Sequence, residues 1–378
     1  MIKNFSRTTD FKFKFSKYNI ACYGLFFFTG FGQVIPSILF SLFVIFCFKK
    51  VTIGTISSFV NILLIEIFLI LLFIPGLYNE QFTSELKYFL FLIFSVLVLY
   101  LSIVNNDNHK NLLFFFILGL FLKSEIIVIF SFFSDSSYGY GRLFNPFNGE
   151  DINSPSISNS LAICACYFLL VNKPGNLYIS IMKYITLSLI VLSGIYLGGR
   201  TFFVFLFITI SFLFLTQGKL KLYIIGSILI TLISFGLLLL YNYNESIQNY
   251  MTVIINRFSN EGLNSPRFEL LSDGFSKLIT YPFGGFYPEV TSYQGNWYHN
   301  IYLDTARISG FIPVLILFFI DIYLFIKFII SKKNKNVFFL LFIVFLTMQQ
   351  DVIIEGNLLI FLLYSVLSTI VLKRERVV

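Results

Sequence analysis

The chain has 378 residues, 57% of them hydrophobic and 12% charged, with a mean hydropathy of +0.83. That leaves too little polar surface to coat a water-soluble domain of this size. The formal charge of +8 is accounted for by basic clusters flanking apolar runs, where they anchor to anionic lipid, so it lends no support to nucleic-acid binding.

Solid apolar runs recur along almost the whole length, each near the ~20 residues a helix needs to cross roughly 30 Å of hydrocarbon. They predict an all-α integral membrane protein of about twelve spans: 18–32, 34–48, 52–75, 86–104, 111–133, 157–172, 177–197, 201–216, 220–241, 306–330, 337–350 and 358–372. Residues 18–48 admit two readings, because Gly30, Gly32, Gln33 and Pro36 fit either a tight hairpin or a kink in one long helix. Counting lysines favours the hairpin. The basic clusters at residues 3–17, Lys49 and Lys50, Lys219 and Lys221, Lys332 to Lys335, and Lys373 to Arg376 share one side only if residues 18–48 cross twice. Both termini are then expected in the cytoplasm. No short apolar region ending in a small-residue cleavage site follows the basic start, so no removable signal is expected.

The segments expected outside are 76–85, 134–156, a short turn at Gly198, Gly199 and Arg200, a large loop at 242–305 before the tenth span, and 349–357. Only 134–156 and 242–305 are large enough to build a site. Five of the eight arginines, Arg142, Arg200, Arg257, Arg267 and Arg307, fall in these outer segments, whereas nearly all lysines fall inside. Lysine is the usual cytoplasmic anchor, while the planar guanidinium fork matches phosphate or carboxylate oxygens two at a time, so an anionic ligand is expected on the outer face.

Cys22, Cys47, Cys164 and Cys166 lie in expected spans and read as small buried apolar residues. Cys164 and Cys166, two apart on a helix, point to different sides and make neither a disulfide nor a metal pair. With two histidines in all and no carboxylate cluster at ligand spacing, neither a metal nor another cofactor is expected. Glu66, Lys123, Glu125 and Asp321 are charges within spans, read as groups that lock helices together in preference to a proton path.

The outer segments carry an ordered set of short motifs. Gly141-Arg142-Leu143-Phe144-Asn145-Pro146 is followed by Gly198-Gly199-Arg200-Thr201, then by Ser265-Pro266-Arg267-Phe268-Glu269. Tyr281-Pro282-Phe283-Gly284-Gly285 comes next, and Trp297-Tyr298-His299-Asn300-Ile301-Tyr302-Leu303-Asp304 runs into Arg307-Ile308-Ser309-Gly310. In architecture throughout, and in motifs from Arg142 to Gly310, the chain resembles the O-antigen polymerase and O-antigen ligase family of bacterial inner-membrane glycosyltransferases. In that family a small-Arg pair ends one span, a second arginine opens a long periplasmic loop, a Pro-x-x-Gly element follows, and a His-Asn pair precedes a glycine about ten residues on. Gly199 departs from the pattern, since many members have serine before the arginine.

The resemblance implies a GT-C-like membrane fold and transfer of a glycan from an undecaprenyl-diphosphate carrier to a sugar hydroxyl on the outer face of the cytoplasmic membrane. It implies polymerisation of carrier-linked repeat units into a surface polysaccharide, inverting and metal-independent, with a flippase and a chain-length regulator as partners. Departing diphosphate charge needs preorganised cations, which assigns Arg200 and Arg267 to the diphosphate and Arg142 as a third. A sugar hydroxyl is a poor nucleophile, and His299, the histidine of the outer segments, is the expected general base because imidazole titrates near the working pH. A helix from Trp297 would put Asn300, Asp304 and Arg307 on one face, where Asp304 and Arg307 either pair with each other or touch substrate. Gly310 would let another helix approach closely. Trp297, Tyr298, Tyr293 and Tyr287 fit sugar stacking and an interfacial aromatic belt equally. Two other readings share these features: a ligase that moves finished glycan, and a flippase of lipid-linked sugar, which gives His299 no task.

Overall fold

Helix α1 (Lys17–Phe31) starts where the Ser16 side chain accepts from the Asn19 amide and stops where Gly32 turns left-handed at φ 75°. Two residues later α2 (Val34–Phe46) begins, with Pro36 in a first turn whose amides have no intrahelical partner. The two helices fold back on each other: Gly24 lies against the Phe40 ring, and Phe28 and Phe40 stack with centroids 5.4 Å apart. Residues 18–48 therefore form the hairpin that the lysine count favours.

This computed structural model describes residues 16–48, 54–78, 86–106, 108–134, 141–170, 177–217, 266–291, 295–330 and 335–373. The expected span 220–241, residues 242–265 with Arg257, Tyr293, and most of the basic clusters lie outside the described residues. Among those described there are thirteen helices and one two-stranded hairpin. After α2 come α3 (Ile56–Tyr78), α4 (Leu86–Asn105) and α5 (His109–Phe133), then β1 (Arg142–Phe144) antiparallel to β2 (Asp151–Asn153). Next are α6 (Ser154–Leu170), α7 (Leu177–Leu197), α8 (Arg200–Gln217), α9 (Pro266–Thr280), α10 (Ile301–Ser309), α11 (Phe311–Ile330), α12 (Lys335–Met348) and α13 (Leu358–Leu372).

Every expected span except 220–241 coincides with helix, with one correction. The span expected at 306–330 is broken at Gly310, whose φ of 78° ends α10 and lets α11 set off in a new direction. Four helical stretches are long and apolar enough to cross a bilayer by length and composition: Ile56–Ile74, His109–Phe133, Ser180–Leu197 and Phe311–Ile330. Six shorter apolar helices accompany them. Helix α11 shows how its sequence works. Pro313, Leu317, Ile320 and Leu324 make one buried stripe, while Phe318, Phe319, Phe325 and Ile329 are exposed on the rest of the helix. An apolar stripe turned inward and apolar residues turned outward is the pattern of a helix solvated by lipid.

Hydrogen bonds define two ends of the bundle. At one end the Lys373 amine donates to the carbonyls of Ile103 and Asn106, Asn106 to Asn19, Thr55 to the Leu372 carbonyl, and Asn336 to the Leu170 carbonyl. At the other end the β hairpin rests on α5 through Ser131 and the Phe144 amide at 2.9 Å. Phe31 meets Phe147 there edge to face, and Asn357 donates to Ser156 at 2.8 Å. A second, smaller core sits at that end, made of Leu270, Phe286, Tyr298, Leu303 and Ala306 from α9, α10 and the loop between them, apart from the main helical core.

Of the charges expected to lock helices, two do so through hydroxyls. Glu125 accepts from Ser193 at 2.6 Å, tying α5 to α7, and Asp321 accepts from Tyr302 and Tyr364, each at 2.5 Å, tying α11 to α10 and α13. The two oxygens of Glu66 are buried without a hydrogen-bond partner among the described residues. Cys164 and Cys166 diverge, toward the Ile117 carbonyl on α5 and toward Thr209 and the Phe205 carbonyl on α8.

Candidate functional site

The backbone at His299 is the starting point, because His299 is the sole non-glycine residue with positive φ among the described residues, at 54°. A side chain in that region costs on the order of 1–2 kcal/mol and persists only where surroundings hold it. Asp304 does the holding. One of its carboxylate oxygens accepts the Tyr298 amide at 2.8 Å and the other accepts the Asn300 amide at 3.2 Å, so the carboxylate grips the chain on both sides of the imidazole. Asn300 is the N-cap of α10, its side-chain oxygen accepting from the amides of Tyr302 and Leu303.

Asp304 is in turn fixed by Arg307 at 3.8 Å, one turn along α10. Arg307 is fully buried and also pairs with Glu355, which accepts from the Trp297 indole at 3.0 Å. The result is a closed loop of contacts running Trp297, Glu355, Arg307, Asp304 and back to the backbone beside Trp297. Burial pushes the carboxyl groups of Asp304 and Glu355 up, and the shared guanidinium pulls both back down. Arg307, one of the five arginines expected outside, is thus committed to internal carboxylates.

The Pro282–Gly285 element buttresses the same helix. The Gly285 amide donates to the Arg307 carbonyl at 2.8 Å and the Phe311 amide to the Pro282 carbonyl at 2.9 Å. Gly310 does admit a close neighbour, but that neighbour is this loop and not another helix: a Cβ at 310 would stand 2.1 Å from the Pro282 oxygen.

The turn after α12 joins this assembly to the start of α8. Gln349 accepts from the Asn300 side chain at 2.9 Å, and its neighbour Gln350 accepts from the Thr201 hydroxyl at 3.1 Å. Asn300 follows His299 and Thr201 follows Arg200, so one two-residue turn ties the imidazole segment to the arginine segment. Arg200, half-buried, opens α8 directly after Gly198 and Gly199. Only glycine fits at 199, because a Cβ there would lie 2.0 Å from the Ser158 hydroxyl of α6. Arg267 stands in the first turn of α9, exposed, and close enough to His299 that its charge acts on the imidazole. Burial and the Arg267 guanidinium together push His299 down to about 4. The expectation that this imidazole titrates near neutral pH is therefore corrected: it is neutral there.

The remaining expected residues fall in different places. Arg142 is exposed on β1, with Asp151 of β2 at 3.8 Å. Tyr298 is 2% exposed and its hydroxyl donates to Asp273 at 2.8 Å, so its ring packs in the small core against Phe286 and offers no face to a sugar. Trp297 is half-buried and held by Glu355, and Tyr287 is exposed with Arg307 beneath its ring at 5.8 Å. Of the two choices open for Asp304 and Arg307, they pair with each other.

Gln349, Gln350 and Glu355 carry much of this geometry and were not singled out from the sequence. Their signal was the cluster of amide and acid side chains in nine residues between two apolar helices, longer in polar atoms than a plain turn requires. No known protein-family model matches the chain, and no curated protein is significantly similar to it. What the site offers chemically is a neutral, geometrically fixed imidazole beside an exposed guanidinium, with a second arginine at the adjoining helix start.

Proposed function

We propose that the chain is an integral membrane glycosyltransferase of the polysaccharide-polymerase kind, joining undecaprenyl-diphosphate-linked repeat units on the outer face of a bacterial cytoplasmic membrane. The observation that carries this reading is the neutral His299, clamped by Asp304 in a left-handed backbone next to Arg267. In the reaction the acceptor hydroxyl attacks the anomeric carbon, its proton passes to His299, and the bond to the carrier diphosphate breaks with inversion. Arg267 and Arg200 take up the charge of the departing diphosphate, and no covalent glycosyl-enzyme forms.

A pKa near 4 is low for a base; burial is the larger cause, and the Arg267 charge, the smaller one, is the part a substrate can relieve. A bound diphosphate offsets the Arg267 charge and favours the imidazolium, raising the basicity of His299 when the donor is in place. The Gly199 departure from the family pattern also has a counterpart, since the Ser158 hydroxyl of α6 stands where a side chain at 199 would begin. Asp304, Arg307, Glu355 and Trp297 are positioning residues in this reading, and Asn300 with Gln349 sets the distance between the two basic segments.

The test is incubation of purified protein with a carrier-linked repeat unit. Longer glycan and released carrier diphosphate are expected from the wild type, with His299→Ala slower by about 10²–10⁴-fold, the usual worth of a general base. Arg200→Ala and Arg267→Ala are expected to lose product while the protein stays inserted. Normal ladders from His299→Ala would overturn the reading, and movement of unchanged substrate between leaflets would make the protein a flippase.

A further inference from the structure

Helix α9 leaves three large apolar side chains exposed: Phe268 at 69%, Phe275 at 61% and Ile279 at 84%. Their spacings of seven and four residues, at about 100° per residue, set them within about 40° of one another, so they form one stripe along the helix. The other sides of α9 are occupied. Leu270 and Leu278 enter the small core, and between them Gly274 packs so tightly that a Cβ there would stand 2.8 Å from Leu303. Opposite the stripe, Lys277 donates to the Tyr287 carbonyl at 2.6 Å and pairs with Asp273 and Glu289, while Asp273 accepts the Tyr298 hydroxyl. The exposed residues that border the stripe, Glu269, Ser272, Ser276 and Thr280, include no basic side chain.

The placement of α9 shows what covers the stripe. Its middle packs on Leu303 at the start of α10, and the turn after it reaches the start of α11. There the Pro282 carbonyl accepts the Phe311 amide at 2.9 Å, and a Cβ on Gly310 would stand 2.6 Å from the Phe283 Cα. Phe283, itself exposed, thus continues the stripe into Phe311, Ile312, Phe318 and Phe319, the outward apolar surface of α11 that lipid solvates. Tyr281 and Tyr287 are exposed beside it, and such rings settle at headgroup level. A second copy of the chain would find too little surface here. At this exposure the three side chains offer roughly 400 Å², taking ~200 Å² for each one whole, against the ~800 Å² per partner of a stable interface.

We infer that α9 is an interfacial helix, lying in the membrane surface at the end of the bundle that holds the candidate site, with Phe268, Phe275 and Ile279 immersed about 5–10 Å into the boundary between headgroups and acyl chains. The attraction is apolar and not electrostatic, because the border of the stripe lacks lysine and arginine. It holds Arg267, in the first turn of α9, at headgroup depth. The inference stands whichever compartment that end faces and whatever reaction the protein runs. The measurement is the collision of a nitroxide label with oxygen, which concentrates in hydrocarbon, and with a water-soluble nickel chelate, on the full chain in phosphatidylcholine vesicles. Cys47, the one cysteine that is not fully buried, is first replaced by serine. Labels at Phe268→Cys, Phe275→Cys and Ile279→Cys should meet oxygen more often than the chelate. Labels at Glu269→Cys and Thr280→Cys, about 100–120° round the helix, should show the reverse. The same pattern is expected in vesicles that contain anionic lipid. Chelate collisions dominating at all five positions would put the stripe in water and overturn the proposal. Few collisions with either reagent at the three stripe positions would mean that protein covers them, residues 218–265 or a second copy, and would overturn it equally. Immersion seen only with anionic lipid would overturn the apolar attraction.

Discussion

At His299 two physical effects act against a cost. Burial and Arg267 hold the imidazole neutral, and the Asp304 clamp holds an unfavourable φ of 54°. The pH consequence follows from the sign of the shift. The folded value of about 4 lies below the ordinary 6.5, so the contribution to stability is complete above pH 6.5 and is lost as pH falls toward 4. Melting of wild type against His299→Asn across that range should show the difference fading only on the acid side. For activity, the acid limb of kcat/KM reports the free protein and should fall near pH 4, whereas that of kcat should lie higher, because the bound diphosphate offsets the Arg267 part of the shift. Coincident limbs would remove the substrate-induced shift. Glu355→Ala leaves the Arg307 guanidinium buried with Asp304 as its remaining acid, and the loss of stability should be on the order of 3 kcal/mol, read as a lowered melting midpoint.

Individual elements owe their bounds to single residues whose neighbours lie far off in sequence. The α7–α8 junction is one. Gly199→Ser places a side chain into the Ser158 hydroxyl and should lower the melting midpoint and activity together, whereas the double variant Gly199→Ser with Ser158→Gly frees the space and should recover most of both. No recovery would mean that the close approach is not what requires glycine. The break at Gly310 is another. The sequence shows an apolar run continuing into 311–330, and a helix through it is the natural reading; what stops it is the Pro282 carbonyl, which accepts the Phe311 amide and leaves no space for a Cβ at 310. The amphipathic Pro266–Thr280 helix was not singled out within the expected 242–305 loop, although Pro266 at its first position, Glu269 near its start and Lys277 near its end are its signals. Its partnership with Tyr298 through Asp273 had no such signal, because the two are 25 residues apart.

For the whole molecule, the described helices separate their connecting segments into two ends, with the candidate site and the β hairpin at the same one. The transferase reading puts that end outside the cell. Asn148→Cys, at the exposed tip of the β hairpin, should then react with an impermeant maleimide on intact cells, and protection there with labelling only after lysis would place the end in the cytosol. Lipid contact around α11 is testable in the same system: Phe319→Lys on its exposed face should reduce insertion by ~2.5–3.5 kcal/mol if it sits near the bilayer centre.

Composition and the spacing of apolar runs determined the helical membrane class, the positions of the helices and the segments in which a site had to be sought, because burial in lipid acts on each run by itself. The hairpin at 18–48 was decided by charge counting for the same reason. Which of the residues expected outside are structural and which are exposed was decided only by tertiary structure. Arg307 and Arg267 look alike along the chain, yet one is enclosed between Asp304 and Glu355 and the other is exposed beside His299. Tyr298 likewise reads as a sugar platform until Asp273 and Phe286 enclose it. Those outcomes depend on contacts between residues distant in sequence, and their free energies come from desolvation and pairing that no local pattern encodes.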